Sequence, residues 1–382
     1  MTGLHASLER FRHWFIADCL PFWAETGVDA PSGGFYEAIH FDGTPSTGRP
    51  RRVRTLFRQV HTFTQAGLLG WLDGADPIAA RGFDYLLTHA CPDDGARGCV
   101  FHLGDDGSVL DDRRDLYDQA FLLLACASRI KAGDEGPAKA LADNTIAFLD
   151  RELASPHGGW LESDAGDLPR RQNPHMHLFE AFMALYRATG DERYLAYADQ
   201  IYDLFCSAFY GAANSIVREN FADNWKPRED DPIEPGHMLE WVWLLNAYEA
   251  CGRRTPLDMR KRLYEHALAF GADPGFHGLI DNLAAPVVNK IHGAKRLWPQ
   301  TEYLRASLVL AGKGSKDAAA KAEKLIGDLF NTYLAIEPKG LWIDEFESDG
   351  ERLARDVPAS ILYHLFEAVA EADAFLKARD AS

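Results

Sequence analysis

The chain has 382 residues, 47% of them hydrophobic, with 57 acidic against 40 basic side chains and a net charge of −17. That length fits either two or three small domains or one large closed architecture, and a field of that sign repels polyanions, which sets nucleic acid aside as a partner. No run of about 18 apolar residues exists, so no membrane span is expected. The charged amphipathic stretch from Met1 to Thr26 lacks a signal-peptide core. Six scattered cysteines with no C-x-x-C read as reduced thiols of a cytoplasmic protein.

A glycine-led marker recurs along the chain: Gly33-Gly34-Phe35-Tyr36, Gly98-Cys99-Val100-Phe101, Gly158-Gly159-Trp160-Leu161, Gly278-Leu279-Ile280-Asp281 and Gly340-Leu341-Trp342-Ile343. Their starts differ by 65, 60, 120 and 62 residues, and the double gap holds a degenerate copy, Asn214-Ser215-Ile216-Val217. Six units follow. Each marker reads as a short strand or turn.

Between markers the periodicity is helical. Helices are expected over about 4–26, 51–72, 75–91, 113–131, 135–153, 173–189, 191–209, 236–251, 255–271, 297–313, 315–335 and 357–377. Asp191 is placed to cap one, and Thr255-Pro256 to open another. The helices near 113, 173 and 236 are apolar on most sides; their successors near 135, 191 and 255 are one-sided. All-round apolar helices are buried and one-sided ones face water. The expected fold is therefore all-α: one domain over 1–382, an (α/α)6 barrel of six helix pairs with short β-hairpins or strands at one end. A helix-pair solenoid is the rival, but no polar capping repeats stand out.

The polar residues that look least structural lie 19 to 26 residues after each marker: Arg58, Tyr117, His177, His237 with Glu240, Trp298 with Glu302, and His364. All fall near the starts of inner helices, so a closed barrel gathers them at one end of its axis, where a concave pocket is the default active site. Single histidines in apolar helices are usually satisfied core residues, and His61, His266 and His292 keep that reading. The basic run Arg51 to Arg54 reads as solvated. Arg58 and Gln59, inside an apolar stretch, do not.

Imidazole titrates near neutrality. Two opposed histidines can remove a proton from carbon 2 of an open-chain sugar and return one elsewhere, with Arg58 stabilising the enediolate oxyanion. Glu240 follows His237 by three residues and is expected to orient its imidazole. His175 and His177 point about 200° apart on a regular helix and do not suit a shared metal. Phosphate-binding glycine motifs are absent. Neither a metal nor another cofactor is expected.

The runs Arg58-Gln59-Val60, Asn173-Pro174-His175-Met176-His177-Leu178-Phe179-Glu180-Ala181, Pro235-Gly236-His237-Met238-Leu239-Glu240-Trp241, Leu297-Trp298-Pro299-Gln300-Thr301-Glu302 and Tyr363-His364 occur in order over nearly the whole chain. They resemble the N-acylglucosamine 2-epimerase family, which includes mannose isomerases and cellobiose 2-epimerases. The resemblance implies the same barrel and metal-independent proton transfer through a cis-enediolate. It implies His237 and His364 as the acid/base pair and His177 in ring opening or proton relay. Arg58, Tyr117, Asn173, Trp298, Gln300 and Glu302 would bind a small-molecule sugar. His61 stands where many members carry an aromatic residue, and Pro358 to Leu362 lacks the lysine or tryptophan of disaccharide epimerases. A free monosaccharide is therefore expected, with D-mannose to D-fructose isomerisation ahead of 2-epimerisation. An inverting glycoside hydrolase working through Glu240 and Glu302 is a further alternative. A homodimer is left open.

Overall fold

The computed structural model describes residues 2–228, 231–284 and 293–380. Its helices are α1 (Thr2–Trp14), α2 (Leu20–Thr26), α3 (Val53–Leu68), α4 (Ala75–His89), α5 (Leu116–Lys131), α6 (Pro137–Phe148), α7 (Gln172–Thr189), α8 (Glu192–Leu204), α9 (Pro235–Ala250), α10 (Leu257–Gly271), α11 (Leu297–Gly312), α12 (Lys316–Asn331) and α13 (Ser360–Asp380). They match the twelve expected helices once α1 and α2 are joined through a π-helical turn over Phe15–Cys19. Pro21 has no N–H to continue the ladder, which accounts for the widened turn just before it.

The even-spaced apolar helices form the inner ring. Contacts run α3–α5–α7–α9–α11–α13 and back to α3, so the ring closes and the solenoid is excluded. Outside it, α4 packs on α3, α6 on α5, α8 on α7, α10 on α9 and α12 on α11, while α1 covers α13 and α12. The chemistry of the helices explains the layers. Nearly every side chain of α5 and α11 is buried, whereas α8 buries only Tyr194, Leu195, Ala198 and Ile201, one stripe.

Asp191 caps α8 as expected, accepting from the Arg193 N–H at 3.0 Å. Asp115 does the same for α5, accepting from Tyr117 N–H. Such caps stabilise by about 1 kcal/mol each. Thr255 does not cap α10; its hydroxyl donates to Glu249 and the helix opens after Pro256.

The markers are the return strands. Each follows an outer helix, turns on a left-handed residue and pairs back on the helix exit, as in Tyr210–Gly211 with Ile216–Val217 and Ala272–Asp273 with Leu279–Ile280. The turn needs positive φ, which glycine supplies at Gly98, Gly159, Gly278 and Gly340; in the degenerate copy Ser215 adopts it, at φ 51°. Further antiparallel pairs lie just before the inner helices: Arg51–Arg52 with His102–Leu103, Arg170–Arg171 with Asn220–Phe221, Lys295–Arg296 with Glu345–Phe346, and Ala38–Ile39 with Val357–Pro358. The last ties the sixth unit to the first. Among the described residues, no helix is long and apolar enough to cross a membrane.

Candidate active site

The first turns of all six inner helices converge on a cavity of about 200 Å³. Arg58, Tyr117, Asn173, His177, His237, Glu240, Trp298 and His364 all line it, as their shared phase in the repeat required. Their helix N-termini point their positive dipole ends the same way, which favours a developing anion there.

The histidines sit in opposed electrostatic settings. His364 Nδ1 lies 2.9 Å from Glu302 Oε1, and Glu302 Oε2 is held at 2.7 Å by Arg305. Burial, with Arg58, His177 and Arg305 nearby, pushes His364 well below the ordinary imidazole value, so it is a neutral base. His237 Nδ1 lies 2.9 Å from Glu219 Oε2 and 3.6 Å from Glu234. Burial opposes its charge, but Glu234 and Glu219 outweigh that and raise His237 to about 10. It is an imidazolium at neutral pH. Two acid/base groups with values pushed apart are the pattern of a general base facing a general acid.

Trp298 adjoins both, its ring centroid 5.0 Å from that of His237 and 5.7 Å from that of His364. A Cβ on Gly236 would come within 2.6 Å of this indole, so the glycine before His237 is what lets Trp298 close on α9.

His177 is buried, and burial holds it down to about 4 despite Glu180, whose Oε2 lies 3.3 Å from Nδ1. Its Nε2 lies 3.5 Å from the Tyr117 hydroxyl. That hydroxyl accepts from Arg58 Nη2 at 2.7 Å. Arg58 is buried over the Phe121 ring and donates also to the Ser360 carbonyl. Its Nε, together with Asn173 Oδ1 and Glu240 Oε2, is buried without a protein partner. These unspent groups on the cavity wall are what a polyhydroxylated ligand would satisfy.

Several expectations need correction. Glu240 does not orient His237: Glu219 and Glu234 do. Glu240 Oε1 instead lies 3.8 Å from His177 Nδ1. Burial and the neighbouring Glu302 raise Glu240 well above the carboxylate range, so it is a protonated acid in the wall. Glu302 is 0% exposed and off the cavity; it serves His364 and Arg305, not a ligand. Gln300 is also 0% exposed, and its amide clamps the Ile280 backbone at both N–H and C=O. It is structural. The Arg51 to Arg54 run is not solvated. Arg51 is 2% exposed in ion pairs with Asp29 and Asp105. Arg52 and Arg54 line the cavity and pair with Glu37 and Asp118. With Arg58 and Arg296 they put four guanidiniums on the wall of an acidic protein. His175 accepts from the Trp160 N–H and belongs to the core. His266 is held by the Asn214 carbonyl, and His292 lies outside the described residues.

Among the described residues, two clusters have donor atoms within 4.8 Å of one another, His177–Glu180–Glu240 and Glu219–Glu234–His237. Hydrogen bonds His177–Glu180 and His237–Glu219 already join their members.

Comparison with solved structures gives the fold, and comparison by sequence gives the class. Cellobiose 2-epimerase from Spirochaeta thermophila superposes with a TM-score of 0.85 over 98% of each chain at 22% identity, which shows the (α/α)6 barrel. By sequence, the chain is 33% identical to the mannose-6-phosphate isomerase of Rhizobium meliloti over 98% of each chain. It is 28% identical to the D-mannose isomerase of Thermobifida fusca over 84% of this chain and 83% of that one. The model of the N-acylglucosamine 2-epimerase family matches residues 34–368, and the chain belongs to that family. It is an enzyme of the sugar isomerase and epimerase class, acting on a small-molecule sugar.

Proposed function

We propose that the protein is an aldose–ketose isomerase that interconverts the mannose and fructose forms of a hexose through a cis-enediolate. The observation that carries this reading is the pair of oppositely tuned histidines that line one cavity beside Trp298. His364, neutral, takes the proton from carbon 2 of the open-chain sugar and returns it to carbon 1. His237, as imidazolium, gives a proton to O1 and takes one from O2. Arg58 and the helix N-termini hold the oxyanion between these steps. His177 serves ring opening, and Asn173, Tyr117 and protonated Glu240 bind hydroxyls. The Thermobifida relative's name agrees with a mannose-type substrate. A cytoplasmic setting goes with this reading.

A hydrolase would need two carboxylates on the cavity. Glu302 is buried behind His364, so the Glu240–Glu302 pair is not on the cavity, and the other carboxylate on the wall, Glu234, is engaged by His237 at 3.6 Å.

One observation favours a phosphorylated form of the same sugar. Arg52, Arg54, Arg58 and Arg296 line a cavity in a chain of net charge −17. Guanidinium forks suit phosphate oxygens, and the Rhizobium relative is named for the 6-phosphate. Incubation with D-mannose, D-mannose 6-phosphate, D-glucose and an N-acylglucosamine, read by chromatography, tests both. Ketose should form from one or both mannose forms and persist after exhaustive chelation. An epimer as sole product would move the assignment to 2-epimerase. Loss of activity on chelation, restored by one divalent ion, would place a metal on one of the two histidine–glutamate clusters.

The pH profile probes His237. A group that must be protonated to act loses function as pH rises through its pKa, so kcat/KM, which reports the free enzyme, should hold to about pH 10 before failing. Glu219→Gln removes one of the two carboxylates that raise His237 and should shift that alkaline limb downward. An unmoved limb would mean that another group sets it.

A further inference from the structure

A second cavity, about 450 Å³, lies at the opposite end of the barrel axis, between the C-terminal halves of α3, α5, α7, α9 and α13. Exposed Leu69, Lys131 and Arg187 stand on its rim, so it opens to solvent. Two hydrogen-bonded lines run from the sugar cavity into it. One is long: His364 to Glu302, to Arg305, to Glu367, to His61. A guanidinium does not release its proton, so Arg305 blocks proton transfer along that line. The other is a single pair. His177 lines the sugar cavity, Glu180 lines the lower one, and His177 Nδ1 lies 3.3 Å from Glu180 Oε2. The Tyr363 hydroxyl donates to the same oxygen at 2.5 Å and holds the carboxylate in place.

We infer that Glu180 exchanges protons for His177 and that the lower cavity is its access to solvent. This rests on the reading that His177 serves ring opening. The anomeric O1–H passes its proton to His177 Nε2, the C1–O5 bond breaks as the carbonyl forms, and O5 takes a proton from the carboxyl of Glu240, which ring closure of the product returns, so His237 keeps its proton for O1. As Nε2 gains a proton, Nδ1–H passes to the Glu180 carboxylate, which hands it to solvent in the lower cavity. The bound sugar occupies the upper mouth, so the axial route lets the imidazole reset while substrate is in place. The reverse order serves ring closure.

The test uses the full-length enzyme. Glu180→Gln keeps the shape but cannot carry a proton; it should lose on the order of 10²-fold in kcat with little change in KM. Glu180→Ala should lose as much and recover about tenfold or more with formate, a carboxylate small enough for the lower cavity. Ala184 lies one turn along α7 from Glu180 and lines the lower cavity. Adding Ala184→Phe to Glu180→Ala should abolish the formate rescue by plugging that route. A fully active Glu180→Gln variant would overturn the inference. So would formate rescue that survives Ala184→Phe, or none at all in a folded Glu180→Ala protein. If the alanine variant does not fold, the glutamine variant decides by its kcat. Failure of the isomerase reading is separate: it shows in the identity of the wild-type product, because ring opening precedes isomerisation and epimerisation alike.

Discussion

His237→Asn and His364→Asn should each lower kcat by about 10²–10⁴-fold while the protein stays folded. Both imidazoles sit on the cavity wall and each is held at Nδ1 by a buried carboxylate, Glu219 for one and Glu302 for the other. Their Nε2 atoms are thereby left for the ligand. Asparagine supplies one hydrogen bond toward the old Nδ1 partner but no titrating group. In the proposed mechanism the two serve one proton transfer, so the losses should not add, and the double variant should be little slower than the worse single one. Steady-state kinetics beside a circular dichroism spectrum reads this. A His364→Asn enzyme with near wild-type kcat would remove His364 from the chemistry.

Arg305→Met should destabilise the fold by about 3–5 kcal/mol, the usual cost of leaving a buried charge without its partner. Arg305 is wholly buried, bonded to Glu302 and Glu367 and stacked 3.8 Å over the Trp243 ring. Burial opposes its charge, but Glu302 and Glu367 hold it firmly protonated. Burial already pushes Glu302 up, with Arg305 as the main force resisting it. Methionine fills much of the volume but removes the only cation hydrogen-bonded to Glu302 among the described residues. Glu302 then takes a proton and its hold on His364 weakens, so kcat should fall as well. Urea unfolding measures the first effect. A change below about 1 kcal/mol would mean that the pair contributes no more than an exposed bridge.

The layered fold was legible because helix burial follows from side-chain periodicity, and the cavity-lining side chains were legible because they share one phase of the repeat. What was missed sits across the ring. The carboxylate that holds His237 is 18 residues away, and the one that holds His364 is 62 away. Spacing of three residues on a helix brings Glu180 to His177, a pairing the sequence reading did not draw, and misled for His237–Glu240. Three residues turn about 300°, so such side chains meet only when no stronger partner competes. His237 had Glu219. A signal for it was present: an acid ends or closely follows five of the six markers, as Glu37, Glu162, Glu219, Asp281 and Asp344. Four of them latch a basic residue at the entry to an inner helix, namely Arg52, Arg171, Lys295 and Arg296. The fourth unit turns the same acid onto His237 instead. Gln300 misled for the converse reason. Its place in a polar helix start looked functional, yet its amide completes the hydrogen bonding of a marker strand, a need that only the folded backbone reveals.

The central claim is proton transfer through an enediolate by a histidine pair. Running the mannose reaction in D₂O and reading the ketose by NMR tests it most directly. Deuterium should appear at carbon 1 of the product, in part if His364 returns some of the original hydrogen before exchange. Complete migration of the substrate's carbon 2 hydrogen to carbon 1 without any solvent exchange, under all conditions and with a divalent metal required, would contradict it and point to a hydride shift.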